Sequence, residues 1–244
     1  MPLKTRINYS PNFNQKKRLR KNIRFVIIHY TGMKSEKNAI DRLTNIQSEV
    51  SSHYFIGKNG NITLLVPELY VAWHAGKSKW NGQSLLNKNS IGIEIANPGH
   101  RFGYKNFAYK QINSTIILIR YLVNKYRISK KNILGHSDIA PDRKKDPGEK
   151  FPWEYFAKKK LSIWHNIKKQ ELKSLRKKKC NKIEKYKFSK NLIKIGYLGK
   201  NLVKVTESFQ RRFRPQIVDG KIDQECLKIS KKLIFFFFIA FFFS

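Results

Sequence analysis

The short apolar run at residues 25–28 (FVII) is the feature that most constrains how this 244-residue chain can fold. It is bounded by Arg24 and His29, and no polar residue interrupts it. A continuous run of this length is typical of a strand that is buried on both faces. We therefore expect a sheet with helices packed against it.

The remaining periodicities supply the other elements of such a fold. Ser35 can cap a helix whose apolar face is formed by Ala39, Ile40, Leu43 and Ile46. The Asn59–Gly60 pair predicts a hairpin turn. The predicted elements are a strand ending at His29, a helix over 35–49, hairpin strands at 52–57 and 62–66, a strand over 91–96, a helix over 112–126 and a strand over 132–136. Their order predicts an α/β (α+β) fold, with a central mixed β-sheet flanked by helices.

The character of the sequence changes after residue 158. Residues 158–187 are rich in lysine, and we interpret them as a last helix that runs into a basic linker. Residues 188–233 carry apolar residues at helical intervals and a turn at Asp219–Gly220, which predicts a compact helical unit suited to binding. The predicted organisation is a basic N-terminal extension over 1–21, a main domain over 22–165, a basic linker over 166–187, the helical domain over 188–233 and a Phe-rich tail over 234–244.

The formal charge of +35 raises binding to nucleic acid or to another polyanion as one interpretation. The lysines are spread along the whole chain, together with many Asn, Ile and Phe residues, which AT-rich codons encode. Genomic drift is therefore the second interpretation, and we do not expect specific nucleic-acid binding. Cys180 and Cys226 fit no metal spacing and predict no disulfide framework.

Neither end of the sequence predicts a membrane span. The first 22 residues are polar and basic and contain no apolar core of a signal peptide, which favours the cytoplasm by default. Residues 233–243 are apolar, but eleven residues are too few for a spanning helix, which needs roughly 20.

Three candidate metal ligands stand where predicted strands give way to loops. His29 ends the first strand, His136 ends a later one, and Asp146 follows ten residues on. Strand ends are rigid positions around which sites assemble. Two imidazoles and one carboxylate can bind a Zn²⁺ ion and leave its fourth position open.

Two further residues have the chemistry of a hydrolase. Glu94 lies opposite three isoleucines on its strand, and its small neighbours Gly92 and Ala96 predict open space above the carboxylate. A carboxylate beside a metal site can serve as a general base. Lys144 is the candidate to stabilise an oxyanion. By pattern alone, a solvated Glu94 is an equally good interpretation, and Lys144 is better interpreted as one surface lysine among many.

Five motifs in one order resemble the type-2 N-acetylmuramoyl-L-alanine amidases, relatives of the peptidoglycan recognition proteins. The resemblance covers roughly residues 22–165. The motifs are residues 25–31 (FVIIHYT), 50–56 (VSSHYFI), 72–76 (AWHAG), 90–95 (SIGIEI), and 135–141 (GHSDIAP) with 144–148 (KKDPG).

The resemblance implies roles for these residues. His29, His136 and Asp146 would hold one Zn²⁺ ion, with Glu94 and Lys144 as catalytic groups. The cleft for a peptidoglycan or muropeptide substrate would be lined by His53, Trp73, His74, Ala75 and Gly76. For His53 and His74, a supporting or purely structural role stays open. His100 and His165 match no family site and are expected at the surface or in packing, and Asp138 and Asp142 do not fall on the ligand position.

The resemblance also implies the reaction, which is hydrolysis of the amide between the muramoyl lactyl group and L-alanine. A non-catalytic recognition protein is the alternative, although binding-only relatives lack the full ligand set. Residues 195–197, 209–215 and 218–223 resemble a small three-helix peptidoglycan-binding domain, from which the region around Cys226 and the Phe run depart. A wall-binding domain would favour the periplasm or the wall over the cytoplasm. Intact wall and soluble anhydro-muropeptide both remain open as substrates, and so does the oligomeric state.

Overall fold

A computed structural model describes residues 3–238 and confirms the mixed α/β fold class. Within that range the strands are β1 (Arg6–Ile7), β2 (Phe13–Asn14), β3 (Phe25–Tyr30), β4 (Tyr54–Ile56), β5 (Ile62–Leu64), β6 (Val71–Ala72), β7 (Lys79–Trp80), β8 (Gln83–Ser84), β9 (Ser90–Ile95) and β10 (Ile133–Gly135). The helices are α1 (Glu36–Thr44), α2 (Tyr109–Tyr126), α3 (His136–Ile139), α4 (Trp153–Lys158), α5 (Lys169–Leu175), α6 (Lys182–Ile195), α7 (Leu202–Phe213) and α8 (Gln224–Phe238).

The central sheet has six strands in the order β1-β5-β4-β9-β3-β10. The predicted hairpin of β4 and β5 is antiparallel, whereas β3 pairs in parallel with both β9 and β10. The sheet is therefore mixed, as the order of predicted elements indicated. β3 lies inside it and is buried on both faces, which explains why its sequence is continuously apolar.

Each face of the sheet packs against different helices. Ile91, Ile93 and Ile95 of β9 pack with the apolar stripe of α2. Phe25 and Ile27 of β3 point the other way and share a core with α6, α7 and α8. The helical region after residue 165 is thus packed on the same face of the sheet that carries His29.

Two predicted helical segments differ from the structure. α1 begins after its Ser35 cap but ends at Thr44, and Ile46, expected on the apolar face, is 56% exposed. The side chain of Asn45 accepts a hydrogen bond from the Gln47 backbone N–H, which starts a separate 3-10 turn at Ile46–Ser48. Residues 166–187, expected as a linker, contain α5 and the start of α6, and Leu172 is part of the core.

The predicted N-terminal extension is part of the fold from residue 3 onwards. β1 pairs with β5 and β2 pairs with β6. Arg18 is buried, and its guanidinium donates to the backbone carbonyls of Glu68, Asn87 and Ser90. The sequence shows this region only as basic and polar, and it contains no signal for hydrogen bonds to main-chain atoms. The prediction therefore left these residues outside the fold.

The Phe-rich tail expected over 234–244 is described only as far as Phe238, where it continues α8. Residues 239–244 lie outside the described part of the chain. Among the described helices, none combines the length and the apolar character that a membrane crossing requires. Cys180 and Cys226 are both free thiols.

Buried polar contacts join the helical region to the main domain. The guanidinium of Arg212 on α7 forms an ion pair of 2.5 Å with Asp138, whose other oxygen accepts from the Tyr197 hydroxyl at 2.6 Å. Ser208 donates to the Ser137 carbonyl, and Asp142 accepts from two backbone N–H groups at residues 200 and 201. Asp138 and Asp142, which the motif placed outside the ligand set, therefore hold the helical region against the sheet.

Replacing Arg212 with Met leaves the Asp138 carboxylate buried without its cationic partner. We expect the variant to lose about 3–5 kcal/mol of the free energy of unfolding, the usual cost of removing one member of a buried pair. Urea denaturation measures this loss. The control Lys204→Ala breaks the more exposed Lys204–Glu207 pair and should cost less than about 1 kcal/mol. An equally small loss for Arg212→Met would show that the pair does not stabilise the fold.

Candidate active site

Strand register places the candidate residues side by side. His29 of β3 is the direct partner of Glu94 on β9, so both side chains leave the same face of the sheet. Gly135 of β10 pairs with Ile28, which brings the next residue, His136, level with His29. Parallel pairing therefore aligns the carboxyl ends of three strands in one row at the sheet edge.

Three potential ligand atoms converge at this edge. Nδ1 of His29 lies 2.9 Å from Nδ1 of His136 and 3.0 Å from Oδ2 of Asp146. Nδ1 of His136 lies 3.1 Å from the same Oδ2 atom. All three side chains are buried, and these ligand atoms meet the geometric requirements of a metal site. Ligands about 2.0–2.2 Å from a tetrahedral ion stand only slightly farther apart than these atoms. The donor set thus fits a divalent metal ion.

The outer nitrogens of both histidines are also engaged. Nε2 of His136 lies 3.2 Å from the Ala75 carbonyl oxygen, and Nε2 of His29 lies 3.1 Å from Nδ1 of His74. A carbonyl can only accept, so the contact with Ala75 is a hydrogen bond in the tautomer that has its proton on Nε2, which leaves Nδ1 with its lone pair. The Arg143 guanidinium, a donor 3.3 Å from the same Nε2, also donates to the Ala75 and Lys77 carbonyls. Partners of this kind fix the tautomer and the ring orientation of a metal-binding histidine.

His74 continues this chain of hydrogen bonds. Its Nε2 lies 3.2 Å from the Ser90 hydroxyl, which donates to the Leu86 carbonyl. Burial, together with the neighbouring His29, lowers the pKa of His74 well below its ordinary value, so the ring is neutral. The contacts are consistent with one direction of donation: Nε2 of His29 donates to Nδ1 of His74, and Nε2 of His74 donates to the Ser90 hydroxyl. This direction leaves Nδ1 of His29 with a lone pair for a metal ion.

Electrostatics favour the protonation states that bind a cation. Burial and the neighbouring His136 lower the pKa of His29 to about 4. Burial alone would raise the pKa of the Asp146 carboxyl, but the charge and hydrogen bonds of His136 and His29 outweigh it and lower that pKa. At neutral pH the triad therefore consists of neutral imidazole at His29 and an ionised carboxylate at Asp146.

Glu94 lies on the floor of the cleft beside the triad. Its Oε2 atom is buried and has no hydrogen-bond partner among the described residues. Burial and the negative charge of Asp146 raise the pKa of Glu94 well above its ordinary value, while Lys144 opposes the shift. A carboxylate in this environment has a strong tendency to take up a proton.

The space expected above the Glu94 carboxylate is not provided by Gly92. The ring of His74 occupies it, since a Cβ added to Gly92 would lie 2.5 Å from Cγ of His74. The glycine of the SIGIEI motif is therefore required by the close approach of His74. It does not open a channel for substrate.

The cleft contains two of the five residues predicted to line it. Its volume is about 550 Å³, and Trp73, His74 and Lys144 are on its walls. Ala75 is fully buried and contributes its carbonyl to His136 and to Arg143, while Gly76 packs against the Arg143 guanidinium. Ala75 and Gly76 thus support the ligands from behind and do not line the cleft.

His53 is also behind the cleft. Its side chain is fully buried, Nε2 lies 2.9 Å from the Arg18 guanidinium, and Nδ1 accepts from the Gly92 backbone N–H at 3.0 Å. Burial and the charge of Arg18 lower the pKa of His53 well below its ordinary value. The structural role that the sequence left open for His53 is the one that this geometry supports.

Several cleft residues were missed by the sequence interpretation. His100 was expected away from the site, but it lines the cleft and joins the Tyr30 hydroxyl at 2.9 Å to the Glu149 carboxylate at 3.1 Å. Arg42 and Arg101 add positive charge to the same wall. His100 follows β9 by five residues, so its position at the carboxyl edge of the sheet was the available indication. His165 is buried beside Trp164, as expected for packing.

Replacing His74 with Ala removes the hydrogen-bond acceptor that orients His29. We expect Zn²⁺ affinity, measured by competition with a chromophoric chelator, to fall about 10–100-fold. His165→Ala removes a buried histidine outside the cleft and should leave the affinity unchanged. Equal affinities for His74→Ala and the unaltered protein would show that His74 does not orient the ligand.

Comparisons with known proteins are consistent with this site. A family model described as N-acetylmuramoyl-L-alanine amidase matches residues 19–149. N-acetylmuramoyl-L-alanine amidase AmiD of Escherichia coli is 34% identical over 230 residues, which is 87% of this chain and 82% of AmiD.

Two solved structures are similar over nearly the whole chain. The complex of E. coli AmiD with anhydro-N-acetylmuramic acid-L-Ala-D-γ-Glu-L-Lys has a TM-score of 0.76 and 33% identity, covering 87% of this chain and 89% of AmiD. The complex of AmpDh3 from Pseudomonas aeruginosa with an anhydromuramic pentapeptide has a TM-score of 0.75 and 27% identity. It covers 89% of this chain and 92% of AmpDh3. The similarity therefore extends well beyond the residues that the family model matches.

Proposed function

The chain belongs to the N-acetylmuramoyl-L-alanine amidase family, and from this membership and its cleft we propose how it works as an amidase. The enzyme hydrolyses the amide between the muramoyl lactyl group and L-alanine of peptidoglycan fragments. The observation that carries the proposal is the buried His29–His136–Asp146 triad next to Glu94, whose Oε2 atom has no hydrogen-bond partner in the described part of the chain. Zn²⁺ is the ion we assign to the triad, because two imidazoles and a carboxylate are its characteristic catalytic ligands.

We assign the role of general base to Glu94. Glu94 lines the cleft beside the triad, and its buried Oε2 atom has no hydrogen-bond partner within residues 3–238. The carboxylate is therefore free to accept a proton from the attacking water. The raised pKa of Glu94 also suits it to return that proton to the nitrogen of the leaving L-alanine. A metal ion at the triad would polarise the scissile carbonyl and lower the pKa of water.

Lys144 is assigned to the oxyanion that develops during attack. It is half-buried on the cleft wall, and its charge reaches both Glu94 and His29. A fixed positive charge near a developing negative charge stabilises the transition state more in a partly dehydrated cleft than in water. Trp73 and His100 line the same cleft and are the side chains we place against the muropeptide.

A soluble anhydro-muropeptide is the substrate with which to test the proposal, because AmiD and AmpDh3 were crystallised with such compounds. We expect release of a stem peptide that begins with L-alanine, detected by mass spectrometry, lost on chelation and restored by Zn²⁺. Glu94→Gln should bind Zn²⁺ normally and lose about 10²–10⁴ in kcat, the usual contribution of a general base.

The control for this experiment is Glu171→Gln on the exposed surface of α5, which should retain full activity. Unchanged kcat for Glu94→Gln would refute the role of Glu94. Binding of the muropeptide without any product from the Zn²⁺-loaded protein would instead support a recognition protein, the alternative that the sequence left open.

The raised pKa of Glu94 also makes the stability of the metal-free protein depend on pH. The folded state holds the Glu94 proton more tightly than the unfolded state, so this stabilisation is present at low pH and lost as pH rises through the raised pKa. Glu94→Gln should therefore be more stable than the unaltered protein at about pH 8 and little different near pH 4.5. Urea denaturation in a chelator tests this, and a gain that is equal at both pH values would contradict it.

The helical region after residue 187 remains a prediction as a peptidoglycan-binding domain. Its support is the resemblance of residues 195–223 and the extent of the similarity to AmiD. The compartment remains a prediction as well, with the cytoplasm as the default and the periplasm or wall as the alternative.

A further inference from the structure

A cluster of lysines surrounds the aromatic end of α8, at a surface that the amidase reaction does not use. Lys130 precedes β10, Lys160 follows α4, and Lys168 and Lys169 stand at the start of α5. All four are exposed, and together with Trp164 and Phe236 they line a depression of about 610 Å³. We call these six residues the basic aromatic patch, and we include Phe235 because it precedes Phe236 in α8 and is exposed.

Ion pairs between helices bring these segments together. Arg176 of the α5 region pairs with Glu225 at 2.7 Å, and Glu171 pairs with Lys228 at 2.8 Å. The two helices thus run antiparallel, so the start of α5 lies beside the last turns of α8. Lys131, next to Lys130, donates a hydrogen bond to the Phe237 carbonyl at 3.2 Å. The segment before β10 therefore also lies beside the last turns of α8.

The positive charge of the patch is not neutralised by the protein. Within residues 3–238, no carboxylate lies within 4.0 Å of the ammonium groups of Lys130, Lys160, Lys168 or Lys169, whereas the nearby Lys158 pairs with Glu154. Four exposed cations around a depression that also contains Trp164, Ile167 and Phe236 suit an anionic surface that has an apolar interior. Their positions on three separate segments match an extended charge better than a single phosphate.

Aromatic side chains supply the apolar part of the patch. Phe235 is 62% exposed on α8, and Phe236 and Trp164 are half-buried in the depression. The sequence continues beyond Phe238 with Ile239, Ala240 and three more phenylalanines. Segments that insert into the interface of a lipid bilayer typically contain aromatic residues flanked by lysines.

We propose that the basic aromatic patch binds the surface of a bilayer that contains anionic phospholipids. Phe235 enters the boundary between headgroups and acyl chains, and the four lysines contact the negatively charged headgroups. In this arrangement the patch contacts the bilayer at its surface.

The fold determines what this attachment does for the enzyme. The patch adjoins the amino ends of β3 and β10, where Asn132 donates to the Arg24 carbonyl, and the triad lies at their carboxyl ends. From Arg24 to His29 the strand spans roughly 16 Å at about 3.3 Å per residue. A protein bound through the patch therefore presents its cleft away from the membrane, toward substrate in the surrounding solution or wall.

Co-sedimentation of the full chain with lipid vesicles tests the proposal. The protein should bind vesicles of phosphatidylcholine with about one third phosphatidylglycerol at low salt, and bind vesicles of pure phosphatidylcholine far less. The variant Lys160→Gln/Lys168→Gln/Lys169→Gln should lower the partition coefficient roughly 100-fold, and added salt should weaken binding of the unaltered protein.

Matched controls separate the patch from the general charge of the chain. Lys182→Gln/Lys185→Gln/Lys187→Gln removes the same charge from α6, where Glu184 contacts Gln224 at the other end of α8, and should bind as the unaltered protein does. Phe235→Ser should weaken binding about 10-fold, and Ile183→Ser, a 66% exposed residue of α6, should not. Cleavage of soluble muropeptide should be equal in all of these variants.

Three outcomes would overturn the proposal. The first is no binding of the unaltered protein to anionic vesicles at low salt. The second is equal loss of binding in the two lysine variants, which would indicate non-specific attraction by net charge. The third is unchanged vesicle binding by Phe235→Ser together with loss of self-association in sedimentation velocity, which would make the patch a contact between two copies of the chain.

Discussion

The parallel pairing of β3 with β9 is the interaction on which the site depends. It makes His29 and Glu94 direct neighbours on one face of the sheet, while the pairing of β10 with β3 brings His136 level with them. Parallel strands end at the same edge, so one apolar sheet interior positions the proposed metal ligand and the proposed general base together. The apolar residues of β3 and β9 therefore serve the chemistry indirectly, because any slip of register by one residue would turn His29 to the opposite face.

Hydrogen bonds behind the cleft hold this arrangement in one chemical state. His29 is oriented by His74, His74 by Ser90, and His136 by the Ala75 carbonyl. Buried polar groups are stable only when they are satisfied, so each of these side chains has to be placed by the loop that carries its partner. Gly92 is needed for these hydrogen bonds, since only a residue without a Cβ lets the His74 ring reach His29. Several motif residues that resemble substrate contacts in a sequence thus act on the ligands.

The helical region after residue 165 stabilises the fold and also positions the end of α8. Arg212 and Tyr197 enclose Asp138, which lies two residues after the ligand His136. The same packing sets α8 along α5 and leaves an aromatic, lysine-lined end at the sheet edge opposite the triad. Catalytic cleft and proposed membrane surface are therefore separated by the length of the central strands.

The sequence by itself determined the fold class, the hairpin at Asn59–Gly60 and the residues of the triad, because apolar periodicity and ordered motifs are local properties of the chain. It did not determine where α1 ends, since a side-chain hydrogen bond of Asn45 ended that helix against its apolar pattern. It also could not tell which motif residues face the cleft: His53 and His74 look alike in sequence, and only packing against Arg18 or His29 distinguishes them. The places of Arg18, Asp138 and His100 were decided by tertiary structure alone, because each depends on partners 35 or more residues away in the chain.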